Sequence, residues 1–202
     1  MIILVSMRTI ENASYPETRD AISQDWQRLF SQYGMTPILV PNAMGEIGDY
    51  FKFGALGLLL TGGEDLGPAN APTLRDRTET LLLEGAMKRS LPVFGTCRGL
   101  QLINSHFGGR ITRELSEEHV GEHEVLLDGQ RTIRVNSFHN QGVLADDLAT
   151  DFAPFAATGS GVIEAIRHRS LPITAVQWHP ERPSPAAALD RMLLQQWISQ
   201  CA

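Results

Sequence analysis

Three short stretches carry residue types that act on bonds. The first is Gly95-Thr96-Cys97-Arg98-Gly99. An apolar run, Pro92-Val93-Phe94, leads into it, and Leu100, Ile103 and Phe107 follow at helical spacing. This pattern predicts a strand that turns sharply into a helix, with the thiol at the apex. Glycines two positions either side allow the backbone to bend without a Cβ clash. The helix start then turns its free amides and positive dipole end towards the sulfur. With Arg98 adjacent, the expectation is a stabilised thiolate, its pKa drawn from about 8.5 into the range of roughly 3.5–7.5. The second stretch is Gln177-Trp178-His179-Pro180-Glu181. In an extended chain His179 and Glu181 project to one side, and Pro180 holds His179 out of the helical region. A carboxylate beside an imidazole fixes its tautomer and supports the imidazolium formed on proton transfer. The third is Leu60-Thr61-Gly62-Gly63-Glu64-Asp65-Leu66, where two glycines allow a backbone N–H to approach a ligand. Paired with the N–H of Arg98, it would form an oxyanion hole. Taken singly, each stretch is also compatible with a core cysteine, a surface turn and a glycine-rich loop.

The elements that must position these residues follow from hydrophobic pattern. Strands are expected at Ile2–Ser6, Pro37–Val40, Leu56–Thr61 and Pro92–Phe94, separated by helices. The helices run from Glu17 or Thr18 to Gly34, over Met44–Phe53 and over Leu74–Arg89. Arg8–Tyr15 reads as a polar loop. Alternation of strand and helix indicates a parallel α/β sheet, whose ligands sit at the carboxyl ends of the strands. Gly62–Gly63 and Cys97 both fall at such ends. The second half changes character. Val125–Leu127 and Thr132–Val135 flank Asp128-Gly129, a hairpin signal, and further strands are expected at Val162–Arg167 and Ile173–Trp178. A last helix runs from about Ser184 to Gln200. The expectation is one domain over residues 1–202 with a mainly antiparallel insertion.

Composition narrows the function classes. A net charge of −6 without a Lys/Arg cluster argues against nucleic acid. No window is long and apolar enough to span a membrane, and the first residues lack a basic leader. With two cysteines, Cys97 and Cys201, there is no disulfide framework, and a cytoplasmic location is expected.

TGGED, GTCRGLQ and QWHPER, in this order, resemble the class I glutamine amidotransferase family along the whole chain. The resemblance implies a flavodoxin-like three-layer sandwich: a central, mainly parallel sheet with a small antiparallel insertion. It implies Cys97 as nucleophile, His179 as base and acid, and Glu181 as orienter. It assigns the amides of Gly63 and Arg98 to the oxyanion hole. Gln101 would hold the α-amino and carboxylate end of a glutamyl group, and Val135–Gln141, including Ser137, Phe138, His139 and Gln141, would close over that end. Arg98 after the cysteine, Gly-Gly-Glu-Asp in the glycine loop and NSFHNQG resemble the free-standing γ-glutamyl hydrolases more than the glutaminase domains. Tyr15–Asp20, FGG, HVGEHEV and HPER resemble a subgroup associated with surface polysaccharides, which includes γ-glutamyl-CDP-amidate hydrolase. The implied reaction is cleavage of a small γ-glutamyl conjugate through a thioester, with no metal or cofactor. The alternatives are a γ-glutamyl-aminobutyrate-type hydrolase and a glutaminase handing ammonia to a synthase partner.

Several residues keep two readings. Glu64 and Asp65 would meet a substrate ammonium, or Asp65 would cap the next turn. Arg8, Arg19, Arg75 and Arg77 would meet a phosphorylated leaving group or lie on a solvated face. His119 and His123, at i, i+4, have metal-ligand spacing only if helical, with Gly121 between them. His106 and His168 read as packing residues.

Overall fold

A computed structural model describes residues 1–42, 45–113, 115 and 120–201. The strands are β1 (Ile2–Ser6), β2 (Arg8–Glu11), β3 (Thr18–Ala21), β4 (Thr36–Val40), β5 (Leu58–Leu60), β6 (Val93–Thr96), β7 (Val120–Leu127), β8 (Arg131–Phe138), β9 (Val143–Leu144), β10 (Phe152–Ala157), β11 (Val162–His168) and β12 (Ile173–Val176). The helices are α1 (Gln24–Gln32), α2 (Ile47–Tyr50), α3 (Leu74–Lys88), α4 (Arg98–His106) and α5 (Ala187–Gln200). A 3-10 turn, Phe51–Phe53, extends α2.

One sheet of ten strands runs through the molecule in the order β4-β1-β5-β6-β12-β11-β10-β7-β8, with β9 on β11. From β4 to β12 every pairing is parallel, and from β12 to β8 every pairing is antiparallel. The antiparallel strands thus continue the parallel sheet rather than forming a separate layer. The parallel strands are buried on both faces, which is why Leu58–Leu60 and Val93–Phe94 read as continuous apolar runs. On one face α1 and α5 supply Trp26, Phe30, Leu193 and Trp197. On the other, α3 and α4 supply Leu82, Leu83, Leu100 and Ile103. This is the three-layer sandwich expected. Among the described residues, no helix is long and apolar enough to cross a membrane.

Two expectations change. Arg8–Tyr15 is not simply a loop. Arg8–Glu11 pairs antiparallel with Thr18–Ala21 in a separate two-stranded ribbon. The first helix therefore starts later, at Gln24, where the Ser23 side chain caps the amide of Asp25. Asp20 in that ribbon accepts hydrogen bonds from both the backbone and side-chain amides of Asn42, at 2.8 and 2.6 Å, and ties the ribbon down. The helix start expected at Met44 lies outside the described residues.

Candidate active site

Strand β6 delivers Cys97 to the carboxyl edge of the sheet. Its backbone N–H donates to the carbonyl of Val176, 2.8 Å away, so the turn is locked to neighbouring β12. Cys97 itself takes the bend, with φ 53° and ψ −106°. That conformation costs a non-glycine residue on the order of 1–3 kcal/mol. The flanking glycines serve space rather than bending. A Cβ on Gly99 would stand 2.4 Å from the carbonyl oxygen of Leu60, and one on Gly95 would stand 2.7 Å from Ile103 Cδ1. Both let α4 press against the strands.

The expected thiolate is overturned. Burial pushes the Cys97 thiol up to about 12. The backbone N–H of Arg98, hydrogen-bonded to the sulfur, and the charge of Arg182 offset this only in part, while Glu181 and Glu164 add to it. Arg98 does not lend its charge to the sulfur as adjacency suggested. Its guanidinium is buried against Asp76 and Glu79 on α3. The resting group is therefore a thiol and needs a base to become an attacker.

An imidazole stands beside it. His179 is buried, and its Nδ1 lies 2.7 Å from Glu181 Oε1. The carboxylate can only accept, so Nδ1 carries the proton and Nε2 presents a lone pair. The position a Cβ would take on Gly62 lies 2.7 Å from His179 Cε1 and 3.4 Å from Cys97 Cβ, so both side chains flank one spot. Gly62 leaves that spot open. Three residues missed as functional by sequence reasoning fix the imidazole and thiol. Asn136 accepts the His179 N–H at 2.8 Å and donates to the carbonyls of His179 and Pro183 at 2.9 and 3.1 Å. Gln177 Nε2 lies 3.6 Å from the sulfur. Trp178 is fully buried and donates to Asp190 at 2.7 Å. Asn136 and Gln177 stood inside the motifs noted from sequence, and their types were the available signal.

Behind the glycine loop lies a buried charge network. Arg75 donates from Nε to Glu79 at 2.9 Å, from Nη1 to Glu64 at 2.7 Å, and from Nη2 to the carbonyls of Thr61 and Gly62 at 2.9 and 3.1 Å. Arg75 and Glu64 are thus occupied in holding the loop, and neither faces a substrate as one sequence reading allowed. Burial pushes the Glu64 carboxyl up, but Arg75 and backbone amides outweigh it and leave the group below its ordinary value. Arg19 is exposed and pairs with Glu17. A small cavity beside His179 is lined by Arg8, Ser23, Trp26, Thr61 and Arg182. The Arg8 Nε within it is buried without a hydrogen-bond partner.

The segment after β8 reaches the same site. Gln101, on α4, donates to the carbonyl of Gln141 at 3.1 Å and lies 3.4 Å from the Gln177 side-chain oxygen. Ser137, His139 and Gln141 are buried, whereas Phe138 is exposed, with its ring edge-on to His179 at 5.6 Å and under Arg182 at 4.5 Å. Gly63 closes the glycine loop, where a Cβ would collide with Arg75. His168 accepts the amides of Ser170 and Leu171 and packs on Phe107 and Phe152, a packing residue as expected.

The comparisons with known proteins agree with this architecture. Residues 18–193 match the family model for glutamine amidotransferase class-I. The γ-glutamyl-CDP-amidate hydrolase of Campylobacter jejuni is 31% identical over 98% of both chains. The γ-glutamyl-γ-aminobutyrate hydrolase of Escherichia coli O157:H7 is 30% identical over 69% of this chain and 65% of its own. Among solved structures, a GMP synthase component from Thermoplasma acidophilum superposes with a TM-score of 0.74. It is 20% identical, and the match covers 100% of this chain and 94% of that one. A glutamine amidotransferase of Thermotoga maritima gives 0.68 at 14% identity, over 98% and 80% of the two chains. With a family model spanning most of its length and a full-length relative at this identity, the chain belongs to the class I glutamine amidotransferase family.

Proposed function

We propose that the chain is a cysteine-dependent hydrolase of γ-glutamyl amides, with a phosphorylated amine such as a nucleotide amidate as leaving group. The observation that carries this is the His179–Glu181 pair at 2.7 Å, set beside a buried thiol on a strained strand-to-helix turn. Substrate binding brings His179 Nε2 into play as the base that removes the Cys97 proton while the sulfur attacks the δ-carbonyl. The amides of Gly63 and Arg98 receive the oxyanion. His179 then returns the proton to the departing nitrogen, which is otherwise too basic to leave. Water, deprotonated by the same imidazole, cleaves the γ-glutamyl thioester to glutamate and restores the thiol. Gln101 and Ser137–Gln141 are the proposed wall around the glutamyl end. On the other side of His179, Arg8 and Arg182 line the cavity and offer charge to a phosphoryl group. The full-length likeness to γ-glutamyl-CDP-amidate hydrolase supports the same leaving group.

The test is a hydrolysis screen measuring released glutamate from a γ-glutamyl nucleotide amidate, γ-glutamyl-aminobutyrate, γ-glutamyl-polyglutamate and glutamine. The nucleotide amidate is expected to have the highest kcat/KM, and Cys97→Ala is expected to abolish turnover without loss of fold. Arg8→Ala is expected to raise KM for the nucleotide substrate more than for an uncharged γ-glutamyl anilide. Turnover of glutamine alone, rising only when a synthase is added, would assign the chain to the glutaminase branch instead.

A further inference from the structure

Beyond the thiol and its base, one buried cluster has no part in the reaction above. Glu164 sits in the middle of β11 between Ile163 and Ala165, with no solvent exposure. Among the described residues neither of its carboxylate oxygens finds a hydrogen bond of ordinary length. Two imidazoles face it. His123 Nε2, from β7, lies 3.4 Å from Oε2, and His139 Nε2, from the segment after β8, lies 3.5 Å from Oε1. The three candidate ligand atoms all lie within 4.8 Å of one another.

The tautomer of His139 is fixed by its other nitrogen. Nδ1 lies 2.9 Å from the carbonyl of Gln141, which can only accept, so Nδ1 carries a proton. Neutral His139 therefore turns a lone pair from Nε2 towards a carboxylate oxygen. Two acceptors in a buried setting require a cation between them, either a proton or a metal. A proton shared in an imidazolium–carboxylate bond draws the atoms to about 2.7–2.9 Å. Ligands about 2.0–2.1 Å from a tetrahedral zinc stand roughly 3.3–3.4 Å apart, close to the spacings found. An imidazole whose far nitrogen is tied to a backbone carbonyl is also the usual arrangement of a metal-bound histidine.

We infer that His123, His139 and Glu164 form a binding site for a divalent transition-metal ion of the zinc class, held by two imidazole nitrogens and one carboxylate. Nitrogen and oxygen donors of this kind suit zinc, and three protein ligands leave a position for water. The ion would fasten β7, β11 and the segment after β8 to one another. It would thereby hold the carbonyl of Gln141, which receives Gln101, against the sheet. Its presence is independent of whichever substrate the thiol serves. The expectation of no metal, drawn from sequence, considered His123 only with His119, which lies outside the described residues.

The test is a cobalt(II) titration of protein stripped with a chelator, run in the Cys97→Ala background so that the active-site sulfur cannot bind the ion. One equivalent is expected to give the visible absorption of four-coordinate cobalt, with zinc displacing it and raising the melting temperature. His123→Ala and Glu164→Gln are each expected to remove the band and weaken zinc binding by about 100-fold or more. His123 is the milder site to alter, its side chain being 16% exposed, and circular dichroism confirms that each variant is folded. Failure of the wild-type cluster to bind cobalt or zinc overturns the inference. So does binding that survives both substitutions.

Discussion

The two walls of the active site are built by opposite means. On the Cys97 side, position comes from packing and buried charge. Gly95 and Gly99 fit where no larger residue can, and Arg75, Arg98, Asp76, Glu79 and Glu64 brace the glycine loop and the start of α4. On the His179 side, position comes from a few neutral hydrogen bonds, chiefly those of Asn136 to the backbone of His179 and Pro183. The first wall is rigid because removing any part leaves a clash or an unpaired charge. The second is held by contacts that can be lost one at a time.

Breaking the first wall is expected to have the larger effect. Glu79→Ala leaves two buried guanidiniums without their shared carboxylate. The cost is about 3–5 kcal/mol, a fall in melting temperature of roughly 6–20 °C by calorimetry. A fall of a degree or two would mean that the network adds nothing to the elbow. On the second wall, Asn136→Ala is expected to lower stability by about 1–3 kcal/mol, through the unpaired His179 amide. Its kcat is expected to fall at least ~10-fold, on the same energy scale. Asn136→Asp keeps the acceptor for that amide and is expected to recover part of the rate. Equal rates in the two variants would remove Asn136 from the positioning of the imidazole.

The smallest effect is expected from titration, and it sharpens the contrast. Burial lifts the Cys97 thiol to about 12. Alkylation by iodoacetamide without substrate is therefore expected to accelerate steadily from pH 7 to 10 with no plateau. A plateau near neutrality would restore the stabilised thiolate. At the acid end the sign is opposite. Burial pushes Glu64 and Glu164 up, but Arg75 in one case and His123 and His139 in the other draw them below their ordinary values. A carboxyl lowered on folding stabilises the fold above its unfolded value and loses that contribution as pH drops through the lowered one. Melting temperature is expected to hold at neutral pH and to decline below about 4, the ordinary carboxylate range.

The parallel half was legible because its chemistry is local. Leu58–Leu60, Val93–Phe94 and the α3 pattern announce buried strands and a helix directly. The ribbon Arg8–Glu11 with Thr18–Ala21 escaped notice because polar residues that pair only with one another leave no apolar alternation. Strand β10 carries Pro154, which demotes a strand on sequence alone and here coincides with a register shift. At the site, Cys97, His179 and Glu181 stood out by type and spacing. The direction of the Arg98 side chain did not, because it depends on Asp76 and Glu79, more than fifteen residues away in the chain. Glu164 was silent for a related reason. A single acid in an apolar strand gains meaning only when β7 and the segment after β8 bring histidines to it.

Cys97 is hydrogen-bonded to Val176, and three residues further on the chain reaches His179. The gap between attacker and base is therefore set by the spacing of two adjacent parallel strands, a constant of about 4.7–4.9 Å. No loop enters into it. Surfaces that choose the substrate, such as the Arg8 ribbon and the strip around Phe138, are free to change in length and charge while the bond-breaking centre keeps its dimensions. A lineage built this way can acquire new substrates without having to reinvent the reaction.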